Sequence, residues 1–111
     1  MAAGEQIRFV EEGVGRYLPF TVNVVGGTGV FNFVDNNGKS APVSGRIYHR
    51  RVEPPNGAGS FVYYFQNGDG VGHDFHTVTG LVDSNDVALL VNETQFDIVN
   101  ANGDGAYLVY L

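Results

Sequence analysis

The densest group of side chains suited to chemistry lies between residues 67 and 76. Asn67 and Asp69 fall in a glycine-rich turn, and Asp74 and His76 follow on a segment that alternates like a strand. Side chains two residues apart on a strand point to the same face. Carboxylate, amide and imidazole groups would there offer hydrogen-bond donors and acceptors to a polar ligand. We therefore predict that this segment binds a ligand through Asn67, Asp69, Asp74 and His76.

The same strand offers a poor set of metal ligands. Alternation places His73 and Phe75 on the face opposite Asp74 and His76, whereas a mononuclear site commonly needs three converging protein ligands. The third ligand would have to come from a distant segment, such as His49. We therefore predict neither a metal nor a cofactor, and interpret the cluster as a polar strand face or a ligand contact.

Three arginines lie close together, at positions 46, 50 and 51. Strand alternation places Arg46, Tyr48 and Arg50 on one face. One interpretation is an exposed strand whose arginines pair with acids such as Glu53 or Asp74 across the sheet. The alternative is that the planar guanidinium of Arg50, beside Tyr48, contacts an anion or an acidic sugar. The predicted ligand-binding residues therefore include Tyr48 and Arg50.

The segment Asn100–Gly105 matches the first half of a calcium-binding loop. Its first, third and fifth positions carry oxygen side chains, and its sixth is glycine. The twelfth position, a bidentate glutamate in such loops, is Leu111. Because an Asn-Gly pair is also a strong signal for a tight hairpin, we predict a hairpin turn, with calcium binding as the alternative.

The sequence offers little for catalysis. It contains no cysteine and no Gly-x-Ser-x-Gly nucleophile motif, and nearly all of its acids fall in predicted turns. A glycosidase needs two carboxylates about 5–10 Å apart across a cleft. Of the acids, Asp74 and Asp97 lie on predicted strands. The composition therefore favours recognition over an enzyme activity.

Charge and composition exclude several other classes of protein. Six basic and twelve acidic residues give a net charge of −6, which phosphate backbones and anionic lipids repel. The absence of cysteine excludes disulfide frameworks and cysteine-ligated metal sites. We predict no nucleic-acid partner and no membrane span. With no visible signal peptide, we expect a soluble protein, either cytoplasmic or released as a particle or extracellular protein.

Alternation of apolar and polar residues indicates the elements that position these groups. It recurs in eight segments that we predict as strands: 16–25, 30–34, 46–52, 60–65, 73–79, 87–91, 95–99 and 106–111. Residues 7–9 add a short first strand, and turns rich in Gly, Asn and Asp separate the segments. The pattern predicts one all-β domain over residues 1–111: an antiparallel β-sandwich, a jelly roll or a small closed barrel of about eight or nine strands.

The inward faces of these strands define a predicted core. Its members are large apolar side chains at alternate positions. They are Leu18, Phe20, Val22, Val24, Phe31, Phe33, Phe61, Phe65, Phe96 and Ile98.

The last strand is apolar on both faces, which indicates burial on both sides. A central position in a sandwich or a packed neighbouring subunit would supply that burial. We predict a homo-oligomer, with Leu108 and Tyr110 nearest the interface.

Together these features favour a non-catalytic recognition module, either lectin-like and carbohydrate-binding or adhesive, with a glycan as its ligand. The first alternative is a structural or assembly protein, such as a virion or phage particle component. The second is a small β-barrel enzyme or a carrier of small molecules.

Overall fold

The computed structural model describes residues 20–34, 37–55 and 59–111. The predicted strand at 7–9 and the predicted core residue Leu18 lie outside these ranges. The described residues form ten strands and no α-helix, which confirms the predicted all-β class. The strands are Phe20–Val24 (β1), Gly29–Asn32 (β2), Val43–Ile47 (β3), Arg50–Glu53 (β4), Ser60–Gln66 (β5), His73–Thr79 (β6), Val82–Ser84 (β7), Ala88–Glu93 (β8), Gln95–Val99 (β9) and Gly105–Tyr110 (β10).

The strands pair in a nested order. β1 pairs with β10, β2 with β9, β3 with β8, β4 with β7 and β5 with β6, all antiparallel. Two further pairings, β10 with β4 and β9 with β5, complete two four-stranded sheets in the orders β1-β10-β4-β7 and β2-β9-β5-β6. We call the separate β3-β8 pair the ribbon. This topology is a jelly roll, and the described strands leave both sheets open rather than closed into a barrel.

Most of the turns between the described strands join strands of different sheets. Among the described strands, β5 and β6 alone are consecutive in sequence and paired in one sheet. Between β1 and β2, Gly26 and Gly27 both have positive φ (65° and 83°), as a type I′ turn requires. The hairpin predicted at Asn100–Gly105 is wrong in its pairing, since this turn joins β9 of one sheet to β10 of the other.

Hydrogen bonds between loops define two ends of the sandwich. At one end the amide of Ala101 donates to Gly27, the amide of Asn102 to Ser60 and the amide of Gly80 to Gly59. The connections at this end are short and glycine-rich. The opposite end contains the ribbon and the β5–β6 turn, residues 67–72. We call it the ribbon end.

The core lies between the two sheets. Leu18 excepted, all the predicted core residues are at most 4 % exposed, which confirms the assigned facing. Phe96 lies at the centre of an aromatic cluster, with ring centroids 5.6 Å from Phe20, 5.3 Å from Tyr63 and 5.1 Å from Phe65. Offset and edge-to-face ring pairs of this kind stabilise a core beyond their buried area.

The strand predicted at 46–52 is two strands, β3 and β4, in different sheets. The chain bends at Tyr48 and His49, so strict alternation does not continue from β3 into β4. Arg46 and Tyr48 are exposed, whereas Arg50 is 1 % exposed and faces the core. The prediction that these three side chains share a face is therefore wrong.

The C-terminal strand β10 is central in its sheet, between β1 and β4. Tyr107 and Val109 are fully buried in the core, and Leu108 on the outer face is 37 % exposed. The two neighbouring strands therefore pair with both edges of β10, and the core buries one of its faces. Over the described ranges, the chain has no helix of the length and apolar character needed to cross a membrane.

Candidate functional site

Five of the six predicted ligand-binding residues lie at the ribbon end of the sandwich. Asn67 and Asp69 belong to the β5–β6 turn, Asp74 is the second residue of β6, and His76 lies at the middle of that strand. Arg50 begins β4, directly after the bend that contains Tyr48. Their positions nevertheless divide them into a buried group, a turn and one exposed tyrosine.

The buried group connects the two sheets through Arg50. Its Nη1 donates to Asp74 Oδ2 (2.5 Å), His76 Nε2 (2.7 Å) and the Tyr63 hydroxyl (3.2 Å), which share its two hydrogens. Its Nη2 donates to the backbone oxygen of Asp86 at 3.3 Å. We call Arg50, Tyr63, Asp74 and His76 the inner cluster.

The contacts within the inner cluster make two demands on His76. Because an arginine only donates, the contact with Arg50 uses His76 Nε2 as an acceptor, whereas the 3.3 Å contact of the same nitrogen with Asp74 Oδ1 uses it as a donor. Burial disfavours the charged form of Arg50, but the hydrogen bonds and charges of Tyr63 and Asp74 outweigh it, so the pKa of Arg50 is raised. Burial also raises the pKa of Tyr63, although Arg50 opposes the shift. The cluster therefore holds a buried, paired arginine, and a ligand would reach Arg50 only if the cluster opened.

A bulge at Asp74 changes the facing predicted for β6. Asp74 has a φ of 55°, and the register shifts between Tyr63 and Phe65. His76 pairs with Tyr63 and His73 with Phe65, and paired residues point to the same face. His73 therefore faces the same side as His76, and its predicted place beside Phe75 is wrong because the bulge inserts one extra residue.

The β5–β6 turn is built from its own side chains. Asn67 Oδ1 accepts from the amide of Asp69 at 3.2 Å, and Asp69 Oδ1 accepts from the amide of Val71 at 2.9 Å. These Asx-type bonds shape the turn. The Val71 amide also lowers the pKa of Asp69, with His73 adding to the shift. Asn67 Nδ2 donates to the oxygen of Val91 at 3.4 Å, so the turn is joined to the ribbon.

Two aromatic rings form a platform on the outer face of β5 and β6. The rings of Tyr64 and Phe75 stack with centroids 4.6 Å apart and planes inclined by 19°. Phe75 is 58 % exposed and is the outer ring. Gly72 packs against both rings, since a Cβ there would clash with Phe75 and lie 2.9 Å from Tyr64. The glycine therefore allows the stack to form.

A hydrogen-bonding group lies beside this platform on the same sheet face. Tyr64 pairs with Asp97 across the β5–β9 ladder, and Gln66 pairs with Gln95. Both amides donate to the Asp97 carboxylate, Gln66 at 2.9 Å and Gln95 at 2.7 Å. Asp97 is 4 % exposed, so the two glutamines cover it. We call these five residues the outer patch: Tyr64, Gln66, Phe75, Gln95 and Asp97.

The sequence contained part of the signal for the outer patch. Alternation predicts that one tyrosine of the pair Tyr63 and Tyr64 faces outward, and the structure shows that it is Tyr64. The pairing of β5 with β9, which brings Gln95 and Asp97 beside Tyr64, has no local signal because 31 residues separate the paired segments at Gln66 and Asp97.

Within residues 20–34, 37–55 and 59–111, no three His, Asp or Glu side chains are grouped so that they could hold a metal ion. Asp74 joins the inner cluster, whereas Asp97 lies on the outer face, so these two carboxylates do not face a common cleft.

Comparison of the chain with protein-family models, with curated proteins and with solved structures found no match.

Proposed function

We propose that the chain is a non-catalytic recognition module that binds a neutral carbohydrate at the outer patch. The observation that carries this proposal is the exposed Phe75 ring, stacked on Tyr64 beside three hydrogen-bonding side chains of the same face. A sugar ring presents apolar C–H groups that pack on an aromatic ring, and hydroxyls that need donors and acceptors. The outer patch offers both.

The turn next to the outer patch extends the proposed site. Asn67 and Asp69 directly follow Gln66 at the end of β5, on exposed or half-exposed positions. Loops held by a rigid sheet commonly carry binding residues. In this proposal Asp74, His76 and Arg50 position β6 beneath Phe75 and do not contact the sugar.

Charge favours a neutral over an acidic sugar. The chain carries a net charge of −6, and the carboxylate in the outer patch belongs to Asp97. Arg50, the cation considered for an acidic sugar, is already paired with Asp74. An anionic glycan would therefore meet repulsion from the net charge and from the Asp97 carboxylate.

A glycan array followed by titration calorimetry tests the proposal. We expect neutral glycans to bind and sialylated or sulfated ones to be rejected. Gln95→Ala removes an amide donor from the outer patch and should weaken binding. Asn23→Ala, which removes an exposed amide from the outer face of β1 in the other sheet, should not. An array with no neutral binder would refute the proposal.

A second candidate function, a structural or assembly protein such as a virion or phage particle component, is favoured by the ribbon. Ala88 and Leu90 are buried, whereas Val87, Leu89 and Val91 are 61 %, 65 % and 54 % exposed. An exposed apolar strand with an open edge commonly marks a contact with another chain. Jelly rolls occur in both capsid proteins and lectins, so the fold alone does not decide between the candidates.

Light scattering tests the assembly candidate together with the predicted homo-oligomer. We expect an oligomer at micromolar concentration that Leu89→Lys dissociates. The predicted interface residues Leu108 and Tyr110 lie on the outer face of β10, so Leu108→Lys tests that surface separately. A wild-type protein that stays monomeric at every concentration would contradict both.

A further inference from the structure

His73 lies between two carboxylates from different segments. Its Nδ1 is 3.0 Å from Glu93 Oε2, and its Nε2 is 3.1 Å from Asp69 Oδ2. Glu93 ends β8 of the ribbon, and Asp69 belongs to the β5–β6 turn. His73 lies at the start of β6. It therefore connects the turn and the ribbon to the sheet that contains β6.

Both contacts are hydrogen bonds only when the imidazole is protonated. A neutral imidazole has one N–H, so it can donate to one carboxylate while its other nitrogen directs a lone pair at the second. The imidazolium donates to both. The hydrogen bond to Glu93 is the main cause of the raised pKa of His73, and the charges of Glu93 and Asp69 add to it.

The Glu93 carboxylate depends on this bond. Its side chain is 2 % exposed, and its Oε1 finds no donor among the described residues. Oε2 receives the Val91 amide at 3.4 Å in addition to His73. Loss of the His73 bond would leave this buried carboxylate with one long hydrogen bond, from the Val91 amide, which is unfavourable.

We propose that His73 is a pH-dependent clasp, which as an imidazolium ties the β5–β6 turn and the ribbon to β6 and which releases the turn when it loses its proton. The charged groups that face His73 in the described structure are Asp69 from the turn and Glu93 from β8.

The clasp operates within a defined pH range. The pKa of His73 is raised above 6.5, so its stabilising effect is complete below that pH and is lost as the pH rises through the raised value. The pKa of Asp69 is lowered below 3.8. Its contribution to stability is therefore complete above that pH and is lost as the pH falls through the lowered value. The clasp is therefore closed in mildly acidic solution and opens on the alkaline side.

Opening of the clasp has a consequence that rests on the proposed carbohydrate site. The turn that His73 holds contains Gly72, which packs against the ring of Phe75. Release of the turn would loosen the aromatic platform, so glycan binding should weaken as the pH rises.

NMR on the ligand-free protein tests the clasp directly. We expect protection factors for the amides of Asp69 and Val71 to fall several-fold between pH 6 and pH 8.5 in the wild type. In His73→Gln, which cannot become a cation, they should be low at both pH values. His49→Gln, which alters an exposed histidine paired with Asp83, is the matched control and should behave as the wild type.

Two results would overturn the clasp. One is equal protection of these amides in the wild type and in His73→Gln at pH 6. The other is an imidazole titration of wild-type His73 with a midpoint below 6.5, which remains measurable if His73→Gln does not fold. These readouts use no glycan, so failure to bind any sugar would refute the proposed function and leave the clasp standing.

Discussion

Gly72 and Phe75 are in such close contact that residue 72 has no room for a Cβ atom beside the aromatic ring. Gly72→Ala should therefore displace the Phe75 ring from Tyr64. Because Phe75 is exposed and can rotate outward, the melting temperature should change little. NMR contacts between the two rings measure the stack, and we expect them to disappear.

Val71→Ala is the control for this substitution, because Val71 lies in the same turn and is 57 % exposed. It should leave the ring contacts intact. Ring contacts that persist in Gly72→Ala would show that the glycine does not determine the geometry of the platform.

The Arg50–Asp74 pair should be essential for stability. Asp74→Asn removes the negative charge but suits the positive φ of this residue, since asparagine tolerates that conformation. Arg50 would stay buried without a counter-charge, which should lower the free energy of unfolding by roughly 3 kcal/mol. Urea denaturation measures this change.

Asp83→Asn is the matched control for the buried pair. Asp83 contacts His49 and Arg51 at the surface, with 47 % of its side chain exposed. Such exposed pairs contribute about 0–1 kcal/mol, so this variant should be close to the wild type. Equal losses in both variants would contradict a special role for the inner cluster.

Calcium should not stabilise the protein through the 100–105 turn. Both oxygens of Asp104 already accept amide hydrogens, Oδ2 from Gly26 at 2.9 Å and Oδ1 from Gly27 at 3.0 Å. We expect no change in melting temperature on adding calcium, whereas Asp104→Ala should lower the stability by about 1 kcal/mol. A calcium-dependent rise that Asp104→Ala abolishes would instead support the calcium loop.

The sequence predicted the fold class and the core because both depend on local alternation. Phe20, Phe31 and Phe96 face inward since each occupies an alternate position of a regular strand. The predictions were wrong where a strand bends or contains a bulge. The bend at Tyr48 turns Arg50 into the core, and the bulge at Asp74 moves His73 to the other face.

The candidate site was only partly predictable, because its members come together through strand order. Asn67 and Asp69 were identified from their local density of polar groups. Asp97 and Gln95 join Tyr64 through the nested pairing of a jelly roll, and no turn or spacing in one sequence specifies which distant strands become neighbours. Pairings between distant segments of this kind need either a structure or related sequences.

Titration calorimetry with the neutral glycan that gives the strongest array signal tests the central proposal most directly. The wild type and Leu108→Ala, an exposed apolar change on the other sheet, should bind equally. Phe75→Ala should weaken binding about tenfold, equivalent to ~1.4 kcal/mol, because the sugar loses its stacking surface. Unchanged affinity in Phe75→Ala would contradict carbohydrate recognition at the outer patch.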